Sequence, residues 1–152
     1  MKASTLLRAA AIVLLLHSLG HTLGGVVFYR PHSPAEASVI AAMQSSRVTA
    51  GGTTRSLWDF YYGSGLAVGA LSFMLAGIVW TLARLARAPG AHLGTILVWI
   101  IAGCLLQVAL CLRYFFVLPA LLLLAAAGLC GAAGWVQLST RRLSPPASDG
   151  RA

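Results

Sequence analysis

Acidic residues are nearly missing from this chain. Three Asp and Glu stand against 11 Lys and Arg over 152 residues, and charged residues of both signs make up only 9% beside a 59% hydrophobic share. A soluble domain carries about 25% charged residues, because charge is what covers a surface facing water. Too little charge is present here for that purpose, so lipid is the expected cover. The length corresponds to one domain and leaves no room for a separate soluble enzyme domain beside the apolar segments. The shortage of acid leaves a net charge of +8. The basic residues sit singly or in pairs at the ends of apolar runs. They do not form a stripe interleaved with aromatics, so they read as topology signals and lipid-headgroup contacts rather than a nucleic-acid footprint. No nucleophile motif, phosphate loop or dinucleotide fingerprint occurs. The three cysteines, Cys104, Cys111 and Cys130, lie inside apolar runs without a CxxC or zinc-finger spacing, which describes small thiols used in packing. No cofactor is expected.

Four long apolar runs are present instead, at about residues 9–29, 58–82, 92–112 and 115–138. About 20 apolar residues cross the roughly 30 Å of hydrocarbon in a bilayer. Runs this long and uniform exclude barrel strands, and only helices satisfy their own backbone in lipid. The expected fold is therefore all-α: an integral membrane, antiparallel four-helix bundle over residues 1–142, followed by a disordered cytoplasmic tail at 143–152. With the N-terminus inside, the inner flanks hold seven basic residues (Lys2, Arg8, Arg84, Arg87, Arg141, Arg142, Arg151) and the outer flanks four (Arg30, Arg47, Arg55, Arg113). The excess favours cytoplasmic N- and C-termini. Phe28 and Tyr29, Trp58 to Tyr62, and Tyr114 to Phe116 mark outer ends, with Trp80 and Trp135 near inner ends, as interfacial aromatics do. The first run also has the form of a secretory signal, with Lys2 and Arg8 before an apolar stretch at Ala9 to Leu16. Its apolar character continues to Phe28 without an A-x-A site, which favours a retained span. The Ala/Arg/Leu-rich composition suggests a high-GC bacterium, and with four spans the expected location is a bacterial inner membrane.

The first outer loop, about residues 30–57, is the long one. Ser33, Pro34 and Glu36 have the N-cap, N1 and N3 arrangement of a helix start. Val39, Ile40 and Met43 follow at helical spacing, predicting a short amphipathic surface helix over about 34–47. Gly51 and Gly52 are expected to end it, with Thr53 or Thr54 capping the next helix. The inner loop at 83–91 contains a Pro89-Gly90 turn, and the connection around 113–118 is short enough to make spans three and four antiparallel neighbours. Small residues recur at Gly20 and Gly24, Gly65 and Gly69, and Gly128, Gly131 and Gly134. Such faces let helix backbones approach closely, within one bundle or across a homodimer or a membrane-protein partner.

A span excludes polar groups unless they are partnered, so each one is a candidate functional residue. His17 and His21 are one turn apart on the first span. Asp59 is the only acid in or beside a span, with Arg55 four residues before it and Tyr62 three after. Gln107 lies in the outer half of the third span and Arg113 at its end. At about 1.5 Å per residue, Asp59 and Arg113 both fall roughly 15 Å outward from the bilayer centre. That depth makes Arg113 the preferred ion-pair partner expected for Asp59, joining spans two and three, with Arg55 as the competing partner. His17, His21 and Gln107 lie deeper. Gln107 and Arg113 differ by about 120° around their helix, so Gln107 shares a face with Cys104, Cys111 and Tyr114 instead. Three readings stay open. The polar set is interhelical glue in a scaffold, or a site in the outer half of the bundle for a lipid-like or small polar ligand or a membrane partner, or a metal, haem or catalytic centre using His17, His21 and Asp59. The last is short of ligands: zinc needs three or four, His32 stands in a loop, and no HExxH glutamate is present. His92 reads as interfacial.

The strings His17-Ser-Leu-Gly-His21 and Arg55-Ser-Leu-Trp-Asp-Phe-Tyr-Tyr-Gly63, separated by a long loop, resemble an uncharacterised family of small bacterial four-span membrane proteins, a conserved hypothetical group labelled from Leptospira. The likeness covers the first half of the chain best. It implies the four-span topology and brings no activity with it.

Overall fold

The computed structural model describes residues 1–88 and 90–143. Pro89 of the expected inner turn and the tail from residue 144 lie outside the described residues. Among the described residues, four helices are long and apolar enough to cross a membrane: Ala3–Val27, Leu57–Leu85, Gly94–Tyr114 and Val117–Thr140. The fold is all-α apart from one small hairpin. Helix α1 (Ala3–Leu19) continues as a π-helical segment (Gly20–Val27). Helix α2 (Pro34–Ser45) and strands β1 (Arg47–Ala50) and β2 (Thr53–Ser56) fill the long loop. Helices α3 (Leu57–Leu85), α4 (Gly94–Tyr114) and α5 (Val117–Leu143) follow.

The loop departs from expectation at three points. Helix α2 starts as its cap predicts, with the Ser33 hydroxyl accepting from the Glu36 N–H at 3.2 Å and Pro34 at the first position. It stops at Ser45, and Val39 is exposed while Ile40 and Met43 are half-buried. Gly51 and Gly52 do not terminate it. They turn the antiparallel hairpin β1–β2 with φ of 56° and 75°, the left-handed pair that a two-residue turn of this hand demands and that glycine adopts freely. Ser56, rather than Thr53 or Thr54, caps α3. The hairpin escaped the sequence reading because Arg-Val-Thr-Ala and Thr-Thr-Arg-Ser lack a clear apolar alternation. Seven of its eight residues are exposed.

The chain divides into two compact units. One comprises Met1–Leu14 and the residues from Leu75 onward, the other Leu15–Met74. In the first unit, α4 and α5 pack antiparallel, joined only by Phe115 and Phe116. Its interior holds Leu7, Leu14, Val79, Leu97, Cys104, Leu123 and Cys130, all below 2% exposed. Both buried cysteines are free, as is the half-buried Cys111.

In the second unit the π-helical segment meets the first half of α3. Phe28 N–H closes onto the Leu23 carbonyl five residues back, at 2.8 Å, the widened ring of a π-helix. Gly20, Gly24 and Gly25 weaken the α-helical preference of this stretch. Two glycines of α3 set the approach. A Cβ built on Gly69 would land on Thr22 Oγ1, and one on Gly65 would fall 2.7 Å from Val26 Cγ2. Gly77, on the same helix, has nothing within 4 Å of its Cβ position. Gly69→Ala is therefore expected to destabilise the protein in detergent by about 1–3 kcal/mol, the usual cost of overpacking. Gly77→Ala should be neutral or stabilising by about 0.5–1 kcal/mol, from helix propensity alone. Thermal unfolding followed by circular dichroism separates the two, and equal effects would show that the glycine contact does not hold these helices together.

Candidate functional site

The close approach at Gly65 and Gly69 creates the polar cluster of the second unit. The glycines lack side chains, so the carbonyls of α3 are within reach of the first span. Ser18 donates its hydroxyl hydrogen to the Gly69 carbonyl at 2.9 Å. His21 Nε2 lies 3.1 Å from the Gly65 carbonyl, and since a carbonyl only accepts, Nε2 is the protonated nitrogen in that contact. His17 stacks on His21 with ring centroids 6.3 Å apart and planes 12° from parallel, as i, i+4 neighbours do when both rings follow one helix face. His17 is 4% exposed, and its Nδ1 is buried without a hydrogen-bond partner among the described residues. One turn of helix thus carries two satisfied polar side chains and one that is not.

Asp59 belongs to a different arrangement in the same unit. Its carboxylate accepts from the Ser56 N–H at 2.8 Å, while the Ser56 hydroxyl accepts from the Asp59 N–H at 3.1 Å. This is the reciprocal capping box that satisfies two orphan donors at a helix start. Arg55, one of the two cations named for Asp59 in the sequence, donates from its guanidinium to the Thr54 carbonyl at 3.2 Å. Arg55 and Asp59 are both exposed. Tyr62 is half-buried, and its ring lies 6.2 Å from that of Trp58, which also packs on Tyr61 at 5.4 Å. The capping role was readable from the string Ser56-Leu-Trp-Asp59, a serine with an acid three residues on.

Gln107 and Arg113 belong to the first unit, on α4. Burial falls along their helix from Cys104 at 1% through half-buried Gln107 to exposed Tyr114, so Cys104, Gln107 and Tyr114 mark one face that turns gradually outward. The Arg113 guanidinium lies 5.3 Å over the Tyr114 ring, a cation–π contact at a helix end. His32, in the loop, donates its N–H to Glu36, which also accepts from the Tyr29 hydroxyl. Among the described residues, no three His, Cys, Asp or Glu side chains gather into a metal-binding set. Sequence reasoning passed over Ser18, whose partner is the Gly69 carbonyl, and Thr22, which fills the space a Cβ on Gly69 would take; only the packing brings both near.

Compared with known proteins, the chain matches no family model, no curated protein and no solved structure.

The cluster separates the two histidines by role. His21→Leu should lower stability in detergent by about 1 kcal/mol, within the range of an interhelical hydrogen bond in a membrane protein. His17→Leu should hold or raise it, because removing an unpartnered buried polar atom relieves its desolvation cost. Equal losses from both would mean that His17 is also bonded in the native state. At the cap, Ser56→Ala and Asp59→Ala should each cost about 1 kcal/mol, and the double variant little more than either. Additive losses in a double-mutant cycle would refute the capping box.

Proposed function

We propose that this chain is a polytopic bacterial inner-membrane protein with both termini in the cytoplasm, its four long helices forming an antiparallel bundle. It acts as a binding protein rather than an enzyme, through a polar site in the outer half of the bundle. The membrane reading is supported by where large apolar side chains lie. Trp99 is 74% exposed, and Phe73, Leu106 and Leu112 are each near 60%, on helices with almost no charge to solubilise them. Large apolar side chains exposed in this number suit lipid and not water. Fractionation of expressing cells checks it. The chain should stay in the membrane pellet after alkaline extraction, and recovery as a detergent-free soluble monomer would end this reading.

The binding reading is carried by a single observation, the unpartnered Nδ1 of buried His17 beside the satisfied Ser18 and His21. Buried polar atoms in native proteins almost always have partners, and one left free inside a span is costly. A small polar or lipid-like ligand presenting one hydrogen-bonding group to His17 would remove that cost, with the stacked His21 ring holding the imidazole in place. The purified protein is expected to carry a small-molecule adduct in its native mass spectrum, reduced several-fold in His17→Leu and unchanged in Asp59→Asn. Absence of any adduct from the wild type, together with unchanged stability in His17→Leu, would return the cluster to pure helix packing. A Soret band or a stoichiometric metal would move it to the redox reading.

A further inference from the structure

The unit formed by Met1–Leu14 and the residues from Leu75 onward contains no Asp or Glu among its described residues. Lys2, Arg8, Arg84 and Arg87 stand near the start of α1 and the end of α3, whereas Arg113 stands in the last turn of α4. The Arg8 guanidinium lies 5.6 Å over the Trp80 ring, which brings the start of α1 beside the end of α3. Arg84 and Arg87 follow Trp80 at that end, and the connection at 86–93 leads from there into α4. Helix α5 returns antiparallel, because Cβ atoms built on Gly131 and Gly134 would lie 3.9 Å from Ile101 and 3.7 Å from Leu97. Gln137 therefore reaches the same end as His92.

Between α4 and α5 runs a groove of about 430 Å³. Leu97, Ile101, Gly131 and Gly134 line its length, and His92 and Gln137 line its polar end. The glycines keep it open, since side chains there would fill it. Arg8 supplies a second, independent observation. It sits about 7 Å into its helix at 1.5 Å per residue, and its Nε is buried with no hydrogen-bond partner among the described residues. Such a nitrogen calls for an anion, and the described residues of the unit offer none.

We infer that the groove seats an acyl chain of an anionic phospholipid, whose phosphate meets the cationic end formed by Arg8, Arg84 and Arg87. The occupant must be apolar along the groove and anionic at its end, and an anionic phospholipid of the leaflet at that end has both properties. This site uses none of the residues assigned to the polar site in the outer half, so either can fail alone.

The experiment is native mass spectrometry of the full-length protein in detergent, with dioleoyl phosphatidylglycerol or dioleoyl phosphatidylcholine added at equal concentration. Phosphatidylglycerol is expected to bind more tightly, and each removed charge in Arg8→Gln and Arg84→Gln should weaken it about fivefold. Arg8→Lys should keep most of the preference, which guards against a variant that merely misfolds. Gly134→Leu, which fills the groove, should reduce retention of phosphatidylglycerol while leaving any His17-dependent adduct in place. Equal retention of the two lipids would overturn the proposal. So would a preference that survives in the Arg8→Gln, Arg84→Gln double variant, or retention unmoved by Gly134→Leu. A dimer abolished by Gly134→Leu, with no lipid retained, would seat a second copy in the groove and also overturn it.

Discussion

The second unit depends on two glycines that let one helix backbone come within hydrogen-bonding reach of another's side chains. Gly65 and Gly69 leave the carbonyls of α3 uncovered, and Ser18 and His21 bond to them. In water such bonds would compete with solvent. In lipid there is no competitor, and the small residues contribute through van der Waals contact as well. The π-helical turn belongs to the same contact, since it carries Thr22 and Val26, the side chains that fill the space where Cβ atoms would be. Packing, hydrogen bonding and backbone geometry are three aspects of one close approach.

The same principle separates the roles of the polar residues. Asp59 and Ser56 satisfy each other at a helix start, so the only acid near a span serves the backbone. His21 and Ser18 serve the helix contact. What remains is His17, 4% exposed, with Nδ1 unpartnered among the described residues. The hydrogen-bonding capacity of that nitrogen is not used by the described fold.

Charge is distributed by a related rule. The acids that have partners, Glu36 and Asp59, lie in the unit of the hairpin and the surface-loop helix, whereas the described part of the other unit carries cations alone. A protein in water would balance these locally. In a bilayer the headgroups supply such countercharge.

Much of the architecture was legible in the residues themselves. Hydrophobic run length placed the four long helices to within a few residues at most ends, because about 20 apolar residues have one stable form in lipid. The first span alone began six residues earlier than expected. Ser33, Pro34 and Glu36 announced α2, because capping is a local interaction. Ser56 and Asp59 carry an equally local signal, a serine with an acid three residues on. Other features were decided by tertiary structure. The hairpin at Gly51-Gly52 depends on cross-strand bonds between residues with no distinctive pattern. The π-helical turn depends on what Thr22 and Val26 pack against. The difference between His17 and His21, identical side chains one turn apart, depends on Gly65 of another helix, 44 residues away in the chain. Local chemistry determines where helices begin, run and end, and only the contact between them determines which polar group is satisfied and which is left free.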